Sequence, residues 1–307
     1  MNVSTPEITA TFRMATKGDE NLETYDHTKL AAMNTCPTWG IVRYQMHKTM
    51  PGAGRAMALE AGHAMHEVFS WIRLCTLGQQ LEDAKRDEEF IDQVLLYHGK
   101  RLFGEARYRE VRDVIRNAED LLDATRRGSI AVLDTSGFYD DPRDKRRTMS
   151  NLEECAYAYI NRWRWDHPVW MRDPSQSTSD VGIEIPFDVV VEISGLDLYS
   201  FRLTGRIDGI HWDGLKRLTV HDNKTASRLG DAWSQSQYIN HQYTGYCVAA
   251  SCFTQDVVNY CDVLGLAIPL PKSYDYGGFD RVSITKHLHH IKRWVHWLSH
   301  TILLTRV

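Results

Sequence analysis

The chain has 307 residues and a formal net charge of −4, and it is 43 % hydrophobic and 25 % charged. This composition is typical of a soluble globular protein and excludes a protein that binds nucleic acid through a uniformly basic surface. The apolar runs are too short to cross a bilayer, and the N-terminus lacks a basic segment followed by an apolar stretch. We therefore expect a cytoplasmic protein without membrane association.

The first half of the chain predicts a short arm followed by helices. Residues 1–25 are mixed in composition and rich in threonine, so we expect a poorly ordered N-terminal arm. Apolar residues recur at helical intervals from Thr28 to Met46, and a stronger pattern predicts a helix over Arg55–Leu74. Residues 76–180 are charge-rich and helical in pattern with turn-rich breaks, which predicts a mostly helical insertion.

The second half predicts a sheet, because its residues are β-branched and alternate in polarity. Asp213-Gly214 is typical of a hairpin turn. The fold class is therefore α/β, with a core over residues 26–75 and 181–307 that contains a helix, a three-stranded antiparallel meander, a helix and a strand. The predicted elements are strands over Val181–Ile193, Leu198–Ile210 and Leu218–Lys224, a helix over Ala232–Phe253, a strand over Val257–Leu266 and a helix over Thr285–Leu304.

Two carboxylates stand on the second and third strands of this meander. The hairpin brings Asp208 opposite or diagonal to Asp222, within reach of cross-strand neighbours. Two such carboxylates repel each other unless a cation or a proton lies between them, and Mg²⁺ or Mn²⁺ suits oxygen ligands, including the carbonyl of Asn223. Lys224 is close enough to orient an attacking water or to stabilise phosphate charge. Alone, an Asp-x-Lys pair is more often a solvated ion pair at a strand end.

A histidine in the first predicted core helix is a further candidate ligand. His66 lies in the middle of that helix, four residues after Gly62, whose missing side chain permits close approach of the sheet. This spacing favours His66 over His63. An imidazole suits Mn²⁺ better than Mg²⁺. The alternative for a histidine on an apolar helical face is a buried core residue without a ligand.

Polar residues after the third strand are candidates for contact with a phosphate. Gln242 and Tyr246 are four residues apart, so they project from the same side of a helix. Thr225, Ser227 and Arg228 supply two hydroxyls and a guanidinium that suit a DNA backbone. The alternatives are a polar rim on an amphipathic helix for the first pair, and loop or helix-cap residues for the other three.

Five segments together resemble the PD-(D/E)XK nuclease superfamily, and specifically its RecB-like exonuclease branch. The resemblance implies a restriction-endonuclease-like core with a central mixed sheet. It covers residues 30–75 and 181–265, whereas the insertion has no counterpart that we recognise. The matching segments are Gly62–Val68, Glu184–Phe187, Thr204–Ile210, Val220–Thr225 and Gln242–Tyr246.

The resemblance implies a role for each candidate residue. His66, Asp208 and Asp222 would hold the metal together with the carbonyl of Asn223, and Lys224 would be the catalytic lysine. Asp at position 222 replaces the commoner Glu of the family. The polar helix motif would consist of Gln242 and Tyr246.

The cysteines argue against an iron–sulfur cluster. The six cysteines form no C-x-x-C pair, and most are expected to be small buried residues. Members of the branch that carry such a cluster use one early and three late cysteines, and Cys36 would be the early one. No cysteine follows Cys261, so we expect Mg²⁺ or Mn²⁺ as the cofactor and no iron–sulfur cluster.

The expected function is that of a metal-dependent DNA exonuclease in phage or bacterial recombination or repair. The compact form is similar to phage recombination exonucleases, many of which form rings, so a homo-oligomer and a single-strand annealing protein are the expected partners beside DNA. A phage-encoded enzyme would act in the bacterial host cytoplasm. The alternatives are an endonuclease of the same fold, selective for DNA structure or sequence, and a non-catalytic DNA-binding subunit.

Overall fold

A computed structural model describes residues 2–4, 9–36, 43–44, 56–163, 167–173, 179–194, 199–268 and 278–303. These residues form one mixed sheet of eight strands together with nine helices. The strands are β1 (Asn2–Ser4), β2 (Thr9–Met14), β3 (Thr24–Asp26), β4 (Ile183–Ser194), β5 (Tyr199–Trp212), β6 (Leu218–Ala226), β7 (Tyr260–Ala267) and β8 (Gly278–Thr285). The helices are α1 (His27–Thr35), α2 (Met57–Asp83), α3 (Glu88–Phe103), α4 (Glu105–Ile115), α5 (Leu121–Asp134), α6 (Met149–Trp163), α7 (Asp231–Ile239), α8 (His241–Thr254) and α9 (Leu288–Leu303).

The sheet has the strand order β1-β2-β4-β5-β6-β7-β8, and β3 pairs with β5 beside this path. Strands β4, β5 and β6 form an antiparallel meander, and β7 then pairs parallel to β6 after the chain has passed through α7 and α8. A parallel neighbour requires such a crossover, because a hairpin turn joins only antiparallel strands. This arrangement confirms the α/β fold class predicted from the sequence.

Residues 9–14 and 24–26 belong to the sheet, so the prediction of a poorly ordered arm over residues 1–25 is wrong for these segments. Strand β2 pairs antiparallel with β4 from Thr9 to Met14, and β3 pairs parallel with β5. Ala10 and Phe12 are buried on one face of β2. Strand β2 supplies hydrogen-bond partners to the backbone groups at the edge of β4, which lies about 180 residues further along the chain. Local composition carries no signal for such a distant partner.

Helix α2 ends at Asp83, whereas the sequence predicted an end at Leu74. The prediction stopped early because part of the helix is buried on every side. Each residue from Val68 to Gly78 is buried. A helix that is enclosed all round loses the polar face on which helical periodicity depends. The helical alternation of apolar and polar residues is therefore lost in the most buried part of the helix.

The helix predicted over Ala232–Phe253 is two helices, α7 and α8, which are separated at Asn240. The Asn240 backbone is extended, and its side chain accepts a hydrogen bond from the Gln242 N–H, so it forms the N-cap of α8. A second difference is β8, which the sequence did not predict. It pairs with β7 and includes Thr285, the predicted first residue of the last helix, which instead begins at Leu288.

The helical insertion and the sheet share a core. Alternate residues of β7 divide between the two faces of the sheet, since Val263 packs with α8 and α9 while Leu264 packs with the inserted helices. Helix α2 lies between the sheet and these helices. The core on the insertion side includes Val68, Phe69, Val132, Leu152, Val181, Ile183, Leu264 and Leu266.

Some predicted element ends lie outside the described residues. They are residues 37–42 and 45–46 of the first predicted helix, Arg55, Leu198 and Leu304. Among the helices that the structure describes, none combines the length and the apolar character needed to cross a membrane.

Candidate active site

A cleft of about 530 Å³ opens where α2 crosses the sheet at the ends of β4, β5 and β6. Helix α2 supplies one wall, and the end of α3 in the insertion supplies part of another. The cleft is lined by Ala58, Leu59, Gly62, His63, His66, Glu67, Ser70, Arg101, Leu102, Phe103, Glu184, Pro186, Arg206, Asp208, Lys224 and Thr225. Polar residues of five elements, two helices and three strands, therefore meet at one opening.

Three of these residues form a compact group of metal-ligating side chains. His66 Nδ1 lies 3.2 Å from Asp208 Oδ2. Glu184 stands opposite Asp208, because the flanking pairs in the strand register are Ile183 with Gly209 and Ile185 with Ile207. One ligand atom from each of His66, Glu184 and Asp208 lies within 4.8 Å of the others. An imidazole and two carboxylates thus converge from a helix and two strands.

The pKa values of Glu184 and His66 favour bound protons in the metal-free protein. Burial, reinforced by the neighbouring Asp208 carboxylate, raises the pKa of Glu184 to about 7. Burial disfavours a charged His66, but Asp208 outweighs burial and raises the pKa of His66 to about 9. Burial likewise opposes ionisation of Asp208, yet His66 keeps the Asp208 pKa below its usual value.

The donor set fits a divalent cation. Two close carboxylates need positive charge or a proton between them, and the raised pKa values of His66 and Glu184 reflect this need. Mg²⁺ and Mn²⁺ bind carboxylate oxygens, and Mn²⁺ also accepts an imidazole. The residues that would hold such an ion are His66, Glu184 and Asp208.

Lys224 reaches the cleft from below, where it is paired with Asp222. Its Nζ donates to Asp222 Oδ1 at 2.9 Å and lies 2.8 Å from Oδ2. Asp222 is fully buried and lies outside the group of described residues that line the cleft. Burial opposes the charge on Lys224, but Asp222 and Asp208 outweigh it and raise the pKa of the lysine. The cleft therefore has an ammonium group at its floor.

Asp222 is not part of the compact ligand group. Burial raises its pKa to about 6, and the Asp208 carboxylate acts in the same direction, while Lys224 opposes both. The Tyr243 hydroxyl lies 3.4 Å from Asp222 Oδ2 and donates its hydrogen to Gln237 Oε1 at 2.7 Å. The role of Asp222 as a metal ligand therefore stays a prediction. In the structure its carboxylate holds Lys224 in place.

Asn223 contacts the group through its backbone N–H, which donates to Asp208 Oδ2 at 2.8 Å. Its side-chain Oδ1 lies 3.0 Å from His221 Nε2. The N–H bond fixes the orientation of the Asp208 carboxylate towards His66. The predicted use of the Asn223 carbonyl as a ligand stays a prediction.

Gln242 and Tyr246 face a neighbouring cavity of about 260 Å³ instead of the cleft. Gln242 Nε2 donates to Tyr246 Oη at 2.7 Å, so the predicted helix pair forms but its members bind each other. Arg206 lines both the cleft and this second cavity. Burial raises the pKa of the Tyr246 phenol, and the Asp222 carboxylate acts in the same direction.

Of the three residues predicted to contact DNA, only Thr225 lines the cleft among the described residues. Ser227 and Arg228 are exposed at the end of β6, and the Ser227 carbonyl accepts a hydrogen bond from Arg146 Nη2 at 2.8 Å. The prediction of close approach at Gly62 is confirmed. A Cβ on Gly62 would lie 2.8 Å from Thr225 Oγ1, so β6 packs directly against α2.

Glu184 and Arg101 are the site residues that sequence reasoning missed. Glu184 was part of a matching segment but received no role, although an acidic residue opposite Asp208 in an apolar strand was a usable signal. Its φ of 45° is unusual for a residue that is not glycine. Arg101 donates to the carbonyls of Ile183 at 2.6 Å and Glu184 at 2.8 Å. No local pattern in the insertion indicated this contact.

Comparison with known proteins identifies a family that agrees with this site. Residues 26–257 match the family model of the PD-(D/E)XK nuclease superfamily, a span of well over half the chain. No curated protein matches the chain in sequence. Nucleases of this superfamily use divalent metal ions, typically Mg²⁺ or Mn²⁺, which agrees with the donors in the cleft. On the matched span and the α/β fold, the chain belongs to the PD-(D/E)XK nuclease superfamily.

Proposed function

We propose that this protein is a Mg²⁺- or Mn²⁺-dependent DNA exonuclease. The observation that carries the proposal is the convergence of His66, Glu184 and Asp208 beside the Lys224 ammonium in one cleft. Mn²⁺ is the stronger activator in this proposal, because one of the three ligands is an imidazole.

The residues of the cleft divide into ion-holding and charge-donating groups. His66, Glu184 and Asp208 would hold the ion, and the predicted ligands Asp222 and Asn223 lie next to them. A divalent ion held there would supply positive charge for a scissile phosphate and would lower the pKa of a nearby water. Lys224 remains an ammonium because Asp222 holds it, so it donates hydrogen bonds to the water or to the phosphate and does not act as a base.

The shape of the cleft favours action at a strand end. A cavity of about 530 Å³ is in the size range of sites that enclose a small ligand. Walls from α2 and α3 flank it, which suits a terminal nucleotide better than an uninterrupted duplex. Arg206 connects this cavity to the one at Gln242 and Tyr246, and we assign that second cavity to the adjacent phosphate.

The path of DNA beyond the cleft follows the end of β6. Thr225 offers a hydroxyl inside the cleft, and Ser227 and Arg228 lie exposed just past it. Phosphate contacts of this kind position a strand without reading its sequence. We therefore propose that cleavage is independent of base sequence.

The biological setting is proposed from the resemblance of the five sequence segments to the RecB-like branch and to phage recombination exonucleases. We infer from it a role in phage or bacterial recombination or repair, in the bacterial cytoplasm. A homo-oligomer and a single-strand annealing protein are the partners that this setting implies.

The test is digestion of an end-labelled linear duplex and of a covalently closed circle with Mn²⁺. We expect the linear DNA to be degraded and the circle to remain intact. Asp208→Asn removes one ligand charge and should abolish digestion, whereas Asp113→Asn, an exposed aspartate on α4, should retain the full rate. Label on the 5′ or the 3′ end then gives the polarity.

Three outcomes contradict parts of the proposal. Cleavage of the circle would establish an endonuclease of the same fold. Equal rates for Asp208→Asn and the parent protein would mean that the cleft is not the active site. A protein that binds DNA but cleaves neither substrate and takes up no Mn²⁺ at millimolar concentration would be a non-catalytic DNA-binding subunit.

A further inference from the structure

We propose that a second group of side chains, formed by His167, His211 and Asp262, binds Zn²⁺. The group lies away from the cleft, at the end of β5 that joins the hairpin, where Val169 pairs with His211. One ligand atom from each residue lies within 4.8 Å of the other two. We call it the His167 cluster.

The spacing of the cluster suits a tetrahedral ion. His211 Nε2 lies 3.5 Å from Asp262 Oδ2, and His167 Nε2 lies 3.9 Å from the same oxygen. A tetrahedral Zn²⁺ with bonds of about 2.0–2.1 Å places its ligand atoms roughly 3.3 Å apart. The imidazoles are stacked with their ring centroids 4.4 Å apart. Because a zinc ion lies in the plane of each imidazole that binds it, the His167 ring, the more exposed of the two, must turn out of the stack, and the two distances to Asp262 Oδ2 must shorten by roughly 0.2–0.6 Å.

His211 is the observation that points to a ligand. It is fully buried, and within the described part of the chain neither of its ring nitrogens makes a hydrogen bond of normal geometry. A buried polar group without a partner is costly, and coordination would give Nε2 a strong one. Asp262 is already oriented, since Ser283 Oγ donates to its Oδ1 at 2.6 Å and leaves Oδ2 towards the histidines.

Neighbouring positive charge determines which ion the cluster accepts. Arg281 Nη1 lies 3.5 Å from His167 Nε2, and the buried Arg73 guanidinium acts electrostatically on His211. These cations oppose an ion that binds by charge alone, such as Mg²⁺. Zn²⁺ gains in addition from two imidazole nitrogens, so it is the ion that can overcome this repulsion.

The site is reachable from solvent. A cavity of about 300 Å³ is lined by His167, Asp262, Arg281 and Ser283, among others. A water from this cavity would complete the fourth position. The three protein ligands come from β5, β7 and the segment that precedes β4, so a bound ion would cross-link parts of the sheet that are distant in sequence. The expected role is structural.

The test measures Zn²⁺ binding by calorimetry in protein that was first stripped of metal with a chelator. The background is the double variant Asp208→Asn/Glu184→Gln, which removes both carboxylates of the cleft group and leaves the His167 cluster intact. We expect one Zn²⁺ per chain and a higher melting temperature with Zn²⁺ than with chelator. No DNA cleavage is measured, so the result is independent of the proposed nuclease activity.

Two further variants in that background identify the ligands. His167→Ala changes a partly exposed ligand and should weaken Zn²⁺ binding by more than about tenfold and remove the melting-temperature shift. His296→Ala is the matched control, because it disrupts an exposed His296–His300 pair at i,i+4 spacing on α9 and should change neither quantity.

The proposal is overturned if the background variant binds no Zn²⁺, or if His167→Ala binds it as tightly as the background does. It is also overturned if His296→Ala, and not His167→Ala, weakens binding. Circular dichroism of each variant confirms that the fold is retained, and Asp262→Asn, which keeps the shape of the side chain, gives a second measure of the same site.

Discussion

Glu184 adds a second carboxylate to the cleft at a position where the metal-free protein gains little from it. Its ligand atom lies within 4.8 Å of those of His66 and Asp208, and its backbone has a φ of 45°. Repulsion between close carboxylates and unusual backbone conformations are tolerated mainly where function requires them. Glu184 therefore marks the site more clearly than its sequence neighbourhood does.

We predict that Glu184→Gln separates stability from metal binding. The amide keeps an oxygen to accept the Ser70 hydroxyl but removes the repulsion with Asp208. Above about pH 7, where Glu184 of the parent protein ionises, the metal-free variant should be more stable than the parent by about 1 kcal/mol, and its affinity for Mn²⁺ should be lower by more than about tenfold. Thermal unfolding in chelator and calorimetric Mn²⁺ titration measure the two effects.

The control for this variant is Glu110→Gln, which changes an exposed glutamate on α4 and should leave both quantities unchanged. If Glu184→Gln bound Mn²⁺ as tightly as the parent protein, the ion would be held without Glu184. Asp222 would then be the second carboxylate ligand beside Asp208, as the sequence predicted.

At this scale, the sequence predicted the residues whose spacing follows from regular structure. His66, Asp208 and Lys224 do line one cleft, because helix periodicity and the hairpin fix their positions. The burial of Asp222 beneath Lys224 was not predictable, since it depends on the depth of the packed sheet. Gln242 and Tyr246 line another cavity, and helical periodicity does not register the break at Asn240 that precedes them.

The contact between α2 and β6 packs the helix that carries His66 against the strand that carries Lys224. Gly62 has no side chain at the point where Thr225 approaches, and a Cβ there would lie 2.8 Å from Thr225 Oγ1. After removal of the Thr225 hydroxyl and methyl group, the nearest remaining atom of that residue would be its Cβ at 3.9 Å. The contact is therefore local to one pair of residues.

We predict that the effect of Gly62→Ala on the free energy of unfolding changes sign with the residue at position 225. In the parent protein the clash should cost more than the gain in helix propensity, for a net destabilisation of about 1 kcal/mol. In a Thr225→Ala background the clash is absent, so Gly62→Ala should stabilise by about 0.5–1 kcal/mol. Chemical denaturation of the four proteins in a double-mutant cycle gives the coupling.

Gly214→Ala serves as a comparison, because nothing lies within 4 Å of a Cβ at that position. Its effect should be the same in both backgrounds. Additive effects of Gly62→Ala and Thr225→Ala would show that α2 and β6 are not in the close contact described above.

At the scale of elements, the sequence predicted those with strong local patterns. The three strands of the meander occur where alternation placed them, with ends that differ by a few residues. Strands β2 and β3 were missed because their partners are distant in sequence. The end of α2 was missed because burial on all sides removes periodicity, and β8 was missed because it depends on pairing with β7.

For the whole molecule, the structure implies that the insertion and the sheet unfold together. Residues of the inserted helices pack against Val181, Ile183, Leu264 and Leu266 in one continuous core. The sequence predicted the insertion as a helical block over residues 76–180, but it carried no indication of this shared core, because contacts between distant segments leave no local pattern.

We predict a single cooperative thermal transition for the metal-free protein. Trp71 reports on the insertion side and Trp294 on the opposite face of the sheet, so near-UV circular dichroism follows both cores, while far-UV circular dichroism follows the helices. The two signals should change with one midpoint. Two midpoints separated by several degrees would show that the insertion folds as an independent unit, and Trp294→Phe would then assign each transition to one side.

Arg101 connects the insertion directly to the candidate site. Its guanidinium belongs to a helix of the insertion and donates hydrogen bonds to the main-chain carbonyls of Ile183 and Glu184. A change that shifts this helix would therefore also displace the main chain at Glu184, so exchanging the insertion would alter the cleft as well. In the proposed nuclease, substrate selection and catalytic rate would then change together.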